Sequence, residues 1–184
     1  MAQDEPDRPW QADLDQLGLE AGRSVSAAIE IAAPAETVWQ GLSAPGYLKR
    51  CHPFCERTEV ERWPGVGSRD RITYYSGRNY RRNFVEWLDG VGYDIELGEH
   101  PNQTARVLWR ITPLSATSCR LSIEVVPFLK RDLSEERKRQ YQERLFGPDL
   151  RHYLDCVVKG VDYWITTGRD VERDQFGRNP LYSG

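Results

Sequence analysis

Three side chains have the chemistry for acid–base work on a bound molecule: His52, Arg82 and Glu86. A histidine ionises close to neutral pH and can take or give a proton there. His52 stands in Cys51-His52-Pro53-Phe54-Cys55, which reads as a loop because the residue before a proline avoids the helical region. The flanking cysteines invite a zinc site, but they supply three ligands at most. No second cluster offers the fourth that structural zinc takes, so no metal is expected. Arg82 and Glu86 fall four residues apart in the extended run Tyr80–Leu88. Alternate residues of a strand share a face, which puts Tyr80, Arg82, Phe84, Glu86 and Leu88 on one side and Arg81, Asn83, Val85 and Trp87 on the other. With the Arg82 face inward, the guanidinium would orient a polar head and a desolvated Glu86 would move protons. The competing reading is a rim strand carrying ordinary surface ion pairs.

Other reaction signatures are missing from the sequence. It has no Gly-x-Ser-x-Gly elbow, no His-Glu-x-x-His and no phosphate loop ending in Gly-Lys-Ser/Thr. Gly65-Val66-Gly67 lacks the third glycine and the following helix of a dinucleotide site. The sequence therefore asks for no cofactor. Aromatic side chains are abundant where a wall would be. Tyr74, Tyr80, Phe84, Tyr93 and Trp109 sit on strand-like runs, Tyr153 joins Val157 and Val161 on a helical stripe, and Phe54 sits in the His52 loop. Large rings with few polar tips suit a pocket for an apolar molecule. Such rings also fill ordinary cores, and that reading competes at each position.

The elements that must position these groups are legible from periodicity. Val25, Ala27, Ile29 and Ile31 alternate with Ser26, Ala28 and Glu30, as in a strand with one buried face. Pro34 suits a helix start, and Val38, Trp39 and Leu42 give a short helix its stripe. Tyr47–Arg50 predicts a second helical turn. Extended runs follow at 56–63, 69–75, 80–88, 93–97, 105–111 and 119–125, divided by turn signals such as Asp89-Gly90. Ser134–Phe146 is charged and helix-forming, with Ser134 as N-cap. From Leu150 to Ile165 apolar residues recur at three- and four-residue spacing, and Gly168 stands where a helix stops. Strands followed by a helix predict an α+β fold: a seven-stranded curved antiparallel sheet wrapped around a long C-terminal helix, with two short helices after the first strand.

The chain has 184 residues, 39% hydrophobic and 29% charged, a length for one domain with short appendages. Six acids and one base fall in residues 1–22, leaving 22 acids against 24 bases in the rest. That acidic leader, interrupted by Pro6 and Pro9, reads as disordered, or as lying against the body through Trp10, Leu14, Leu17 and Leu19. The domain proper is expected over 23–168, and 169–184 reads as a surface tail. A net charge of −3 gives no sign of nucleic-acid binding. No apolar run is long enough for a transmembrane segment, no export signal is evident, and free buried cysteines are the default for the four present. A cytoplasmic protein is the expectation, with a homo-oligomer left open.

The order of elements resembles the helix-grip fold of the SRPBCC superfamily, which takes in START lipid-transfer domains, the major birch-pollen allergen and polyketide cyclase/dehydrase-like proteins. VSAAIEIAAPAETVWQGLSAPG is similar to that superfamily's first strand and helix, where Ala-Pro-x-x-x-Val-Trp is common. HPFC, WPGVGSRD, YRRNFVEWLDGVGYDIELG and DQFGRNPLYS resemble a bacterial branch of it, and the likeness spans about residues 23–182. The resemblance implies a hydrophobic cavity between sheet and last helix, holding a lipid, sterol or polyketide-like ligand. It supplies no shared catalytic signature. The expected function is therefore binding of a small hydrophobic molecule, with Phe54, Tyr74, Tyr80, Arg82, Phe84, Tyr93, Trp109, Tyr153, Val157 and Val161 lining the site. The alternative is a cyclase or dehydratase using His52, Arg82 and Glu86, and a third reading is a protein-interaction module built on the charged helix.

Overall fold

The computed structural model describes residues 9–184. Eight strands form one antiparallel sheet: β1 (Leu19–Ala21), β2 (Val25–Ile31), β3 (Cys55–Arg62), β4 (Arg69–Tyr74), β5 (Asn79–Leu88), β6 (Gly92–Leu97), β7 (Ala105–Ser115) and β8 (Ser118–Lys130). From β3 to β8 each strand pairs with its successor, and both β2 and β1 pair with the far edge of β8. β2 matches the lower part of β8, with Ile31 opposite Cys119 and Val25 opposite Val125. β1 continues the same edge, with Leu19 opposite Lys130. Helix α1 (Gln11–Gln16) precedes the sheet, α2 (Ala35–Leu42) and α3 (Leu48–Cys51) follow β2, and α4 (Glu135–Leu145) and α5 (Pro148–Thr167) follow β8.

α5 is the rod the sheet grips. Pro148 occupies its first turn and Gly168, at φ 72°, ends it in the left-handed region. Its apolar stripe, including Leu150, Leu154, Val157, Val161 and Trp164, is buried in the main core. Two close crossings fix it. A Cβ on Gly160 would come within 2.1 Å of the Cys51 carbonyl oxygen, and one on Gly41 would meet the side chains of Ile165 and Trp164 at 2.9–3.0 Å. Glycine at these two points lets α3 and α2 lie directly on α5. Ser134 caps α4 by accepting a hydrogen bond from the Arg137 N–H at 3.4 Å.

Two corrections to the expected architecture concern the ends. The sheet has an eighth strand, because the leader is structured over residues 9–21 and supplies both α1 and β1. Trp10, Leu14 and Leu19 form a second apolar cluster with Val126 and Phe128. Val125 and Val126 point to opposite faces, so this cluster lies on the outer surface of the sheet, away from the main core. The leader orders because that outer face presents Val126, Phe128 and Leu108 to it. Residues 1–8 of the acidic leader lie outside the described residues.

Residues 169–184 are also packed rather than trailing over the surface. Asn179 is fully buried and gives its Nδ2 hydrogen to the Asp149 carbonyl at 2.8 Å, while its Oδ1 accepts from the Leu181 N–H at 2.9 Å. The Ser76 N–H reaches the Tyr182 carbonyl at 3.2 Å and Ser183 Oγ donates to Asp174 at 2.6 Å. This asparagine-centred turn folds the tail back over α5 and buries Tyr182. No helix among the described residues is long and apolar enough to cross a membrane.

Candidate active site and ligand cavity

Between the sheet and the N-terminal half of α5 lies a cavity of about 190 Å³. Ile72, Ile95, Trp109 and Ile123 from the sheet and Leu154 and Val157 from α5 make its apolar walls. The exposed Arg78 and Thr104 stand at its rim, with Tyr141 and Phe146 from the α4–α5 junction and Leu181 and Tyr182 from the tail. A cavity of roughly 150 Å³ holds one benzene ring, and pockets for drug-sized ligands begin near 300 Å³. The space therefore fits a substituted ring or two small fused rings.

Of the expected wall residues, Tyr74, Tyr80, Arg82, Trp109, Tyr153 and Val157 line this space. Phe54, Phe84, Tyr93 and Val161 do not; they are core. Phe54 stacks on Tyr153 with ring centroids 5.7 Å apart, Phe84 packs against Trp63 and Tyr93 at 4.9 and 5.0 Å, and Val161 is wholly buried. The reason is the position of α2 and α3. They close the half of the concavity next to the C-terminal part of α5, and aromatic rings fill it solid. The cavity lies in the other half, under the α4–α5 junction.

Glu86 is also corrected. Phe84 pairs with Ile95, but Glu86 then pairs with Asp94, so a bulge inserts one residue into β5 at Val85. The alternation reverses there. Trp87 takes the inner side, 5.4 Å from Trp39 and 5.2 Å from Trp63, and the Glu86 side chain is 46% exposed on the outer face beside Arg106 and Arg110. It cannot act in the cavity.

Arg82 does face inward, but its charge is engaged. Asp70 sits directly opposite on β4, and its two carboxylate oxygens accept from Nε at 2.6 Å and a terminal nitrogen at 2.5 Å. Both residues are almost completely buried. Burial opposes the guanidinium charge, and the Asp70 carboxylate outweighs it, so the pKa rises well above its usual value. Another terminal nitrogen approaches the Tyr47 hydroxyl at 3.4 Å, which in turn accepts from Tyr93 at 2.6 Å. Burial pushes the Tyr47 phenol up to about 12 despite the neighbouring Arg82. Asp70 was readable in the sequence: it shares the period-two face of Ile72 and Tyr74, where an acid needs a partner. Tyr47 and Tyr182 carry no such signal, since their burial depends on which segments cross.

His52 is buried, and its Nδ1 accepts the Phe54 N–H at 3.2 Å while Nε2 meets the Tyr153 hydroxyl at 2.9 Å. The Tyr153 hydroxyl is 2.9 Å from that of Tyr74. Burial, helped by the Arg82 charge, lowers the histidine pKa to about 3. Burial likewise raises Tyr74 and Tyr153 well above the usual phenol value. At neutral pH the site thus holds a neutral imidazole and two neutral phenols: hydrogen-bond donors and acceptors, not charged catalysts. Cys51 and Cys55 are free thiols whose pKa values burial raises, Cys55 to about 11. Among the described residues no three His, Cys, Asp or Glu side chains gather closely enough to hold a metal.

A curved antiparallel sheet gripping one long helix over an enclosed apolar space defines the helix-grip class of the SRPBCC superfamily. Within it, the chain belongs to the polyketide cyclase / dehydrase and lipid transport family, whose model matches residues 22–153. No curated protein matches the sequence. The structure is similar to norcoclaurine synthase from Thalictrum flavum in complex with dopamine and hydroxybenzaldehyde, at 15% identity and TM-score 0.62, covering 92% of this chain and 99% of that one. It is similar as well to the Zhui aromatase/cyclase from Streptomyces sp. R1128, at 18% identity and TM-score 0.56, over 81% and 99% of the two chains. At these identities the likeness is one of fold.

Proposed function

We propose that this protein binds a small one- or two-ring apolar molecule bearing a few oxygen atoms, in the cavity between the sheet and α5. The observation that carries the reading is the cavity itself: about 190 Å³ of space walled by aliphatic side chains and rings. Proteins tolerate few voids larger than a water molecule, because an empty one forfeits contacts on every side. Sterols and diacyl lipids exceed this volume, which narrows the range that the family description allows. A cytoplasmic location belongs to the same reading and rests on the four free, buried thiols. The direct test is native mass spectrometry of protein purified from its own host, followed by calorimetric titration with one- and two-ring aromatics. Failure to bind any of them, together with a reproducibly empty protein, would sink the proposal.

Membership of a cyclase and dehydrase family favours a second reading, in which the same pocket promotes ring closure or dehydration of a bound carbonyl compound. Of the three groups that reading named, Glu86 lies outside, and His52 has its one basic nitrogen occupied by the Phe54 N–H. Among the described residues no carboxylate lines the cavity to serve as base. Catalysis here would have to come from donating hydrogen bonds to a developing oxyanion and from holding the chain in a reactive shape. Absence of turnover with any poly-carbonyl compound that binds would exclude this reading, and turnover that survives Tyr74→Phe/Tyr153→Phe would exclude the phenols as its donors.

A further inference from the structure

Because the Phe54 N–H points at Nδ1 of His52, that nitrogen is an acceptor. A neutral imidazole has one proton, which therefore sits on Nε2 and is donated to the Tyr153 hydroxyl. The only remaining contact of the chain, Tyr153 to Tyr74, uses one phenolic hydrogen, whichever residue supplies it. Three donor hydrogens, on His52, Tyr153 and Tyr74, thus serve two contacts, and one O–H is left over. Both tyrosines line the cavity. The buried Asp70 has both oxygens engaged by Arg82, and among the described residues no acid lines the cavity.

We infer that the cavity selects ligands by an acceptor oxygen, carbonyl or carboxylate, which takes the phenolic hydrogen left over by the His52–Tyr153–Tyr74 chain. This rests on the binding function proposed above and adds the chemical class to it. The wall around the phenols consists of rings, with Tyr182 4.6 Å from Tyr74 and 4.3 Å from Tyr153 between centroids. A hydrocarbon bound there would strip water from the spare O–H and leave it without an acceptor, which is costly. A ketone replaces that water with its own oxygen. His52 is a positioning residue in this scheme: it fixes the direction in which the phenols donate and does not touch the ligand oxygen itself.

Tetralin, 1-tetralone and 1-naphthoate have similar ring systems and differ in the oxygen, and their dissociation constants can be measured by isothermal titration calorimetry. The expected result is that tetralone binds about 3- to 10-fold more tightly than tetralin. A cavity without a donor gives the opposite order, since the ketone then loses its hydration for nothing. Tyr74→Phe should keep the preference, because Tyr153 is then free to donate inward. Tyr74→Phe/Tyr153→Phe should abolish it, so that tetralone no longer binds more tightly than tetralin. If the double variant does not fold, the carbonyl stretch of bound tetralone, shifted below its value in hexane, reports the same hydrogen bond in the parent. Naphthoate binding more tightly than tetralone would identify the acceptor as anionic and implicate Arg78 at the rim. Tetralin binding as tightly as tetralone overturns the inference and leaves the cavity reading standing; binding of none of the three overturns both.

Discussion

Lowering the pH from 7 to 5 should destabilise this protein through one residue, His52. In the folded chain its ring is buried, engaged at both nitrogens and lowered to a pKa of about 3. In the unfolded chain it titrates near 6.5. Below 6.5 the unfolded state gains a proton that the folded state does not accept, so stability is complete above that value and declines as the pH falls toward 3. Each pH unit in the window is worth about 1.4 kcal/mol, which gives roughly 2 kcal/mol between pH 7 and 5. For a chain of this length that is a fall in Tm of roughly 4–8 °C. Urea melts at pH 7, 6 and 5 should show this slope in the parent and its loss in His52→Asn, whose side-chain oxygen can still accept the Phe54 N–H. The other two histidines, His100 and His152, are common to both proteins and cancel. A parent and variant with parallel pH profiles, or an NMR titration placing the His52 ring near 6.5, would refute the reasoning.

Asp70→Asn should cost about 3–5 kcal/mol in urea denaturation, because it leaves the Arg82 guanidinium buried without its counter-charge. Combining it with Arg82→Met should recover at least half of that loss, and a double variant no better than the single would show that the ion pair is not the cause. Glu86→Gln should leave ligand affinity within twofold and stability within about 0.5 kcal/mol, as befits a half-exposed group on the outer face; a tenfold loss of binding would put Glu86 back in the cavity. Tyr182→Ala should cost about 3 kcal/mol and speed release of a fluorescent ligand severalfold by opening the tail's side of the rim. An unchanged release rate would mean that ligands pass elsewhere.

The main architecture was legible because β2, β7 and β8 carry a clear alternation, turn signals divide the runs between them, and α5 has a clean three-and-four spacing that only one face can bury. What the sequence left open or missed were features with no periodic signature. Docking of the leader through Trp10, Leu14 and Leu19 was one of its two readings; the outer apolar patch on β7 and β8 that decides for it shows only as Leu108, Val126 and Phe128 on the presumed wet face. The tail's turn is centred on one buried asparagine, Asn179, which has many surface look-alikes. At the site, residues on β4, on α5 and in the first half of β5 fell where alternation put them. Phe54, Phe84, Tyr93 and Val161 face inward as well, but which half of an interior is hollow depends on where α2 and α3 settle, and side-chain type does not report that.

The inserted residue at Val85 separates two jobs within a single strand. Before it, β5 turns Tyr80, Arg82 and Phe84 toward the interior; after it, Trp87 joins the aromatic block under α2, and Glu86 joins the ionic lattice outside with Asp94, Arg106 and Arg110. Without that extra residue, every side chain downstream would change sides: a carboxylate would enter the ring cluster and an indole would be exposed to water. The kink thus decouples the two ends of the strand, so Tyr80 can be exchanged to suit a different guest while the seal at 86–88 is left alone, whereas Arg82 is tied to Asp70.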